Sequence, residues 1–353
     1  PPPEDITKYE GPSNTTDFPL LLPPDFSIEI FAKDLPGARV MAFDGEGSMW
    51  VSQTSEGKIS VLGIKDGKVI NQGIKLENLK NPHGLTFDSQ NSRILYFAEE
   101  NKISYIDLQS TGARKIADLP SGKGHFTRTI RLGPDDRLYV SIGSSCNVCN
   151  EKDQRRAAIY SMNKDGSDFK PYATGLRNAV FFDWSYVDGR MWATEMGRDQ
   201  LGDDLPPDEI NLVIEGGDYG WPNCYGQRIF DDKFNGDGSC HDIIPPEIDL
   251  PAHSAPLGLA FIPEEGWPEA YWYDLLVAFH GSWNRSEPTG YKIVRIKLDD
   301  KGNYEGTEDF ITGWLTKDGA LGRPVDILVQ PGGVMYISDD KAGVIYKVTY
   351  HGQ

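Results

Sequence analysis

The chain has 353 residues, 39% of them hydrophobic, enough for one large packed domain or a few small ones. Its formal net charge of -18 argues against nucleic acid or an anionic membrane surface as partner. No apolar run approaches membrane-spanning length, so no membrane insertion is expected. The 38 glycines and 24 prolines are spread along the chain, the pattern of many short strands joined by turns.

Residues 1–25, PPPEDITKYEGPSNTTDFPLLLPPD, have the composition of an extended N-terminal tether. Pro1 is not a natural start residue, so the chain reads as a mature or truncated form. Asn14-Thr15-Thr16 is a sequon, a motif that arises often by chance. From residue 26 to 353 the chain repeats itself six times. RVMAFDGEGSMWVSQT begins at Arg39 and HGLTFDSQNSRILYFAEE at His83. RTIRLGPDDRLYVSIGS begins at Arg128 and NAVFFDWSYVDGRMWATE at Asn178. PLGLAFIPEEGW begins at Pro256 and leads to DLLVAFHGS, and RPVDILVQPGGVMYISDD begins at Arg323. Each copy is an apolar strand, a turn rich in Asp, Gly or Pro, and a second apolar strand usually centred on Trp or Tyr. A third strand follows, and then a more polar fourth, as in IKLENL, RKIADLP, FKPYATGL and FITGWL. The last repeat runs out of chain before its fourth strand. FSIEIFAKDLP, residues 26–36, is such a strand placed ahead of the first repeat. These features predict an all-β, six-bladed β-propeller whose N-terminal strand closes the last blade and leaves no open edge.

The four cysteines form two local couples, Cys146 with Cys149 and Cys224 with Cys240. A redox C-x-x-C wants a βαβ context that is absent, and a zinc site wants two close couples. Two short-range disulfides are the better reading, and they imply an oxidising compartment, secreted, periplasmic or at the cell surface.

In a propeller the residues that open each first strand share one face with those that follow each second strand. The openers are Arg39, His83, His125 with Arg128, Arg177 with Asn178, His253, and Arg323. An acidic protein thus carries a ring of cations at one channel mouth, which predicts an anion-binding site there. After the second strand of the fourth repeat comes EMGRDQLGDDLPPDEINLVIEGGDYGWP. Hard oxygens on a flexible backbone suit calcium, although the spacing is not that of an EF-hand. After the fifth comes FHGSWNRSEPTGYK, which hangs Trp283, Asn284 and Arg285 over the mouth. Asp339, Asp340 and Lys341 follow the sixth.

The motifs GHFTRTI, ATGLRN, EMGRDQ…DEIN…GGDYGWP, HGSWNR…PTGYK and GRPVDI together resemble the soluble sugar dehydrogenases that use pyrroloquinoline quinone (PQQ) and calcium, especially the sorbosone and pyranose branch. The resemblance covers roughly residues 26–350. It implies that His125 is the base that takes the proton of the anomeric hydroxyl as hydride moves to the quinone. It implies Arg39, His83, Arg128, Arg177, Asn178, Arg198 and Arg323 as cofactor ligands, since guanidinium groups bind carboxylates bidentately. It implies that carbonyls of Gly197 and Arg198 hold the cofactor's calcium, and that Glu209 and Tyr219 hold a structural one. His83, Trp283 and Asn284 would meet the sugar, and a cytochrome or a dye-like mediator would take the electrons. Three positions depart from the glucose-oxidising relatives. Gly124 stands where they carry an acid, Gly197-Arg198 where Gly-Pro is usual, and His83 where an amide is frequent. The competing reading is a calcium-dependent propeller lactonase or esterase, which wants carboxylates and Asn pointing down the channel. A non-catalytic interaction propeller would not need the ring of cations at all.

Overall fold

The computed structural model describes residues 11–234 and 239–352. Among these residues there is no α-helix, only strands, turns and two short 3-10 turns. Six antiparallel four-stranded blades form the ring. The innermost strands are Ala38–Phe43, Leu85–Phe87, Ile130–Leu132, Ala179–Trp184, Pro256–Phe261 and Pro324–Gln330. The second strands Met49–Gln53, Leu138–Ile142, Met191–Glu195 and Leu275–Phe279 are buried along their whole length. A strand inside a blade is covered by neighbouring blades on both faces, so apolar residues do not alternate with polar ones there. Outer strands face water, as in Lys68–Leu76, and carry the polar residues.

One aromatic device joins successive blades. The ring of a second strand meets an aromatic ring of the next blade's first strand: Trp50 on Phe87 at 5.8 Å, Tyr139 on Trp184 at 5.2 Å, Trp192 on Phe261 at 6.2 Å and Tyr336 on Phe43 at 5.5 Å. Edge-to-face geometry of this kind adds to the area buried. Turn aspartates hold several of these rings by their polar tips. Asp44 accepts from Trp50 Nε1 at 2.9 Å, and Asp135 accepts from the Tyr139 hydroxyl at 3.0 Å. The Asp135-Asp136 turn is therefore a structural turn at the end of the blade away from His125, as its sequence suggests.

The ring closes as predicted. Phe26–Ala32 pairs antiparallel with Val344–Tyr350, from Phe26 opposite Tyr350 to Ala32 opposite Ile345. Phe26 is buried among Trp267, Tyr271, Phe310 and Tyr350. Phe26→Ala is expected to cost about 3–5 kcal/mol, measured by denaturant unfolding. A cost below about 1 kcal/mol would mean that this seam does not contribute to the ring's stability. Residues 11–25, read as a tether, are laid along blades five and six: Ile28 N donates to Ser13 O, Leu21 and Thr312 exchange backbone bonds, and Leu20 is buried. The Asn14 amide donates to the carbonyls of Phe18 and Leu20 at 2.7 and 3.1 Å, so glycosylation of this sequon would have to break both bonds. Residues 1–10 lie outside the described residues.

Blade four differs from the repeat. Its fourth strand, Ile248–Leu250, arrives only after a long excursion from the third strand Asp208–Val213. Gly217–Asp218 in that excursion pairs parallel to Lys170–Thr174, the outer strand of blade three. Both predicted disulfides are formed, with Cα separations of 6.2 Å for Cys146–Cys149 and 6.0 Å for Cys224–Cys240.

Candidate active site

The loop that opens blade three is held by backbone contacts. Gly124 has φ +88°, and a Cβ there would meet Ser144 and Ser145 backbone at 2.4 Å, so only glycine fits. His125 N donates to Ser144 O at 2.9 Å, and His125 Nδ1 lies 3.0 Å from Ser144 Oγ. Ser144 Oγ already donates to Cys146 O, so Nδ1 carries the proton and Nε2 is the basic nitrogen. Burial, followed by the charges of Arg177, Arg128 and Arg156, pushes His125 down to about 3, so the imidazole is neutral at neutral pH. Arg128 is fully buried beneath it and donates to the carbonyls of Pro120, His125 and Thr127. It braces the loop and does not line the cleft.

An open cleft of about 730 Å³ lies on the same face. His125 lines it from blade three, Arg177 and Gly197 from blade four, Trp283 and Asn284 from blade five, and Arg323 from blade six. Arg177 donates to carbonyls of Asn147 and Gly197, both at 2.8 Å, and to Asn147 Oδ1. The Cys146–Cys149 loop thereby holds both His125, through Ser144, and Arg177, through Asn147. Arg323 donates to the carbonyls of His280 and Gly281 and lies over the Tyr291 ring at 5.4 Å. Asn284 donates to Asp199 at 2.9 Å, and Trp283 is 70% exposed. His280 bonds Asp340 at 2.9 Å, and Arg39 pairs with the other oxygen of Asp340 at 2.7 Å. Burial alone would raise Asp340. The bond from His280 and the charges of His280, Arg39 and Arg323 instead bring it down to about 2.

A second lobe of about 620 Å³ opens beside the cleft, lined by Arg39, Thr54, Ser55, Asn81, Phe126 and Asp340. Arg39 thus lines this lobe and not the cleft. His83 lines neither cavity. It is fully buried, stands edge-on to Phe181 at 5.4 Å, and has Nδ1 3.3 Å from Thr129 Oγ1. Asn178 is buried as well, its N–H on Glu195 at 2.8 Å and its amide on the Met196 sulfur. His253 lines the cleft and bonds Gly202 O at 2.8 Å.

Beneath Arg177 lies a small inner pocket. Gly197, Arg198, Glu209 and Tyr219, the four predicted metal residues, all line it, and Arg198 pairs there with Asp231 at 2.7 Å. The same wall holds a carboxylate that the repeat pattern does not single out, Glu195. A second, Asp208, lines the cleft above and accepts the Gly197 N–H at 2.9 Å. Glu195 stands opposite Glu209 on the neighbouring strand. Burial, then the charge of Glu209, pushes Glu195 well above the usual carboxylate range. Burial pushes Asp208 and Glu209 up to about 7 against the N–H bonds that each accepts. Glu195 Oε2 and Asn211 Oδ1 are buried without a hydrogen-bond partner. Buried carboxylates left in this state call for a cation.

The fold and these cavities define a six-bladed propeller with an imidazole- and arginine-bearing mouth above a buried acidic pocket. The chain belongs to the TrAA12-like family, whose model matches residues 20–351. An uncharacterized protein of Borreliella burgdorferi is 31% identical over 94% of this chain and 91% of its own length. The pyrroloquinoline quinone-dependent pyranose dehydrogenase of Coprinopsis cinerea is 23% identical over 87% of this chain, which spans about half (51%) of that protein. Among solved structures, the calcium structure of the Trichoderma reesei AA12 enzyme superposes with TM-score 0.82 at 20% identity, covering 96% of this chain and 100% of that one. The holo PQQ domain of the Coprinopsis cinerea enzyme gives TM-score 0.80 at 19% identity, covering 96% and 99%. At these identities the structural likeness shows the fold.

Proposed function

We propose that the protein is a PQQ- and calcium-dependent oxidoreductase that oxidises a sugar, with His125 as base. The observation that carries this reading is a neutral imidazole at a cleft lined by the guanidinium groups of Arg177 and Arg323. Such a cleft suits a polyanionic planar cofactor beside a substrate hydroxyl. When bound, PQQ supplies the acceptor for the hydride of the oxidised carbon. The chain's part is to receive the hydroxyl proton at His125 Nε2, to bind the cofactor's carboxylates through Arg177 and Arg323, and to hold the sugar against Trp283 and Asn284. The pyranose dehydrogenase named above supports the class of substrate. The electrons leave to an acceptor outside the chain, and the two disulfides fit a protein that works in an oxidising compartment.

The residues of the inner pocket fit calcium. Glu195 and Glu209 supply hard oxygens, Glu195 Oε2 has no hydrogen-bond partner, and Tyr219, Gly197 and Arg198 stand in the same wall. The lactonase reading would need free carboxylates at the mouth. At the cleft, Asp199 already serves Arg177 and Asn284 and Asp208 accepts the N–H groups of Gly197 and Ala255, while Asp340 beside it serves Arg39 and His280. The deciding experiment adds PQQ and calcium chloride to the protein and then an aldose. A cofactor absorbance band that changes on addition of sugar is the expected result. Lactone hydrolysis with no such change would favour the other reading.

Arg177→Ala and Arg323→Ala are each expected to weaken PQQ binding about ten- to a hundredfold in equilibrium titrations, the effect of losing one charge-assisted pair. Unchanged affinity in both variants would remove the arginines from the site.

A further inference from the structure

We propose that the lobe beside Phe126 is a second sugar-binding subsite, so that the enzyme takes a saccharide of two or more rings with its reactive ring at His125; this rests on the sugar-oxidising reading above. The two cavities meet along two shared elements. His125 lines the cleft while the next residue, Phe126, lines the lobe. Asp340 lines the lobe and bonds His280, which lines the cleft. A ligand whose hydroxyl reaches His125 therefore has its remainder directed past Phe126.

The chemistry of the lobe selects a neutral polyhydroxylated ring. The charged residues of its lining, Arg39 and Asp340, are paired with each other at 2.7 Å, so the lining carries no net charge. Ser55 and Asn81 add a hydroxyl and an amide, and Arg39 Nε is buried without a hydrogen-bond partner. Phe126 is 43% exposed. An aromatic face beside such groups is what a pyranose needs, because its C–H face is apolar and its rim is polar. The platform is also rigid. Arg128 donates to the carbonyls on either side of Phe126, those of His125 and Thr127, and Gly124 is wedged on Ser144. A ligand meeting Phe126 has little loop motion to freeze.

The test compares D-glucose with cellobiose and maltose on wild type, Phe126→Ala and Ser55→Trp, all loaded with PQQ and calcium. Ser55 is exposed, so a Trp there fills the lobe from its rim. The reading is the ratio of kcat/KM for disaccharide to that for glucose. In both variants this ratio is expected to fall about tenfold. A ratio unchanged in both variants would overturn the subsite. Calorimetric titration of the unloaded proteins with cellobiose gives a reading independent of turnover. Heat of binding in wild type that is lost in both variants supports the subsite, and binding indifferent to both substitutions overturns it. Failure of the quinoprotein reading appears separately, as no sugar-dependent turnover of wild type with any of the three sugars.

Discussion

His125→Asn is expected to reduce turnover about 10²–10⁴-fold while leaving PQQ affinity close to that of wild type. The imidazole has one nitrogen committed to Ser144 and one free to accept, and it is neutral because burial and the surrounding guanidinium groups disfavour its protonation. The hydroxyl proton of the sugar can go there, and the cofactor's own carboxylates offset the repulsion from Arg177 that otherwise opposes protonation. If the residue were only a buttress of its loop, the substitution would weaken cofactor binding and stability together, and turnover of the loaded enzyme would change little. The structure argues against that, because the loop is already held by Arg128 and by the backbone bond from His125 N to Ser144. Single-turnover reduction of PQQ-loaded wild type and variant by an aldose separates the two. Near-normal reduction would move the base elsewhere. His83 is walled in, so His280 would be the next imidazole to test.

Removing calcium with EDTA is expected to abolish sugar-dependent turnover and to destabilise the protein more at pH 8 than at pH 5. Glu209 in the pocket wall, and Asp208 next to it at the cleft, are pushed up to about 7 by burial, against about 4 in an unfolded chain. Without metal, the folded protein binds more protons than the unfolded one across that interval. The stability these groups contribute is thus fully present below pH 4 and is lost as pH rises through 7. Calcium competes with those protons, so its binding strengthens over the same interval. At a hundred times its Kd it adds about 2.7 kcal/mol. Scanning calorimetry with and without calcium at both pH values reads this directly. Equal destabilisation at pH 5 and pH 8, or full restoration by magnesium, would place the ion somewhere other than this pocket.

The propeller is legible because its blades repeat a visible unit. Apolar strands centred on Trp50, Tyr139, Trp192 and Tyr336, each with a Gly- or Asp-rich turn before it, recur because four of the six blade junctions are made through the same aromatic contact. The missing last strand was equally visible, since a sheet edge without a partner asks for one. The site was legible only by face. Position in the repeat places His125, Arg177, Trp283, Asn284 and Arg323 at one cleft. The same rule cannot say how deep a side chain sits. Arg128 and His83 are openers too, yet one is folded under its own loop and the other stands in the channel wall. Glu195 and Asp208 lie within the acidic stretch whose composition suits calcium, but composition does not single them out: they end and begin strands, where a carboxylate reads as an ordinary polar residue until burial shows it has no water. His280 lay within a quoted motif but drew attention only once Asp340, sixty positions away, was seen beside it.

The pairing of Phe26–Ala32 with Val344–Tyr350 also orders events in the life of the chain. Other pairs within a blade join partners nearby in sequence, whereas this seam joins segments more than 300 positions apart. During synthesis the first strand waits, its edge unpaired, until the last one has emerged. Bringing together segments this far apart is the slow, entropically opposed step in assembling such a ring. Five blades can form as the chain lengthens; the sixth exists only when Phe26–Ala32 and Val344–Tyr350 are both present.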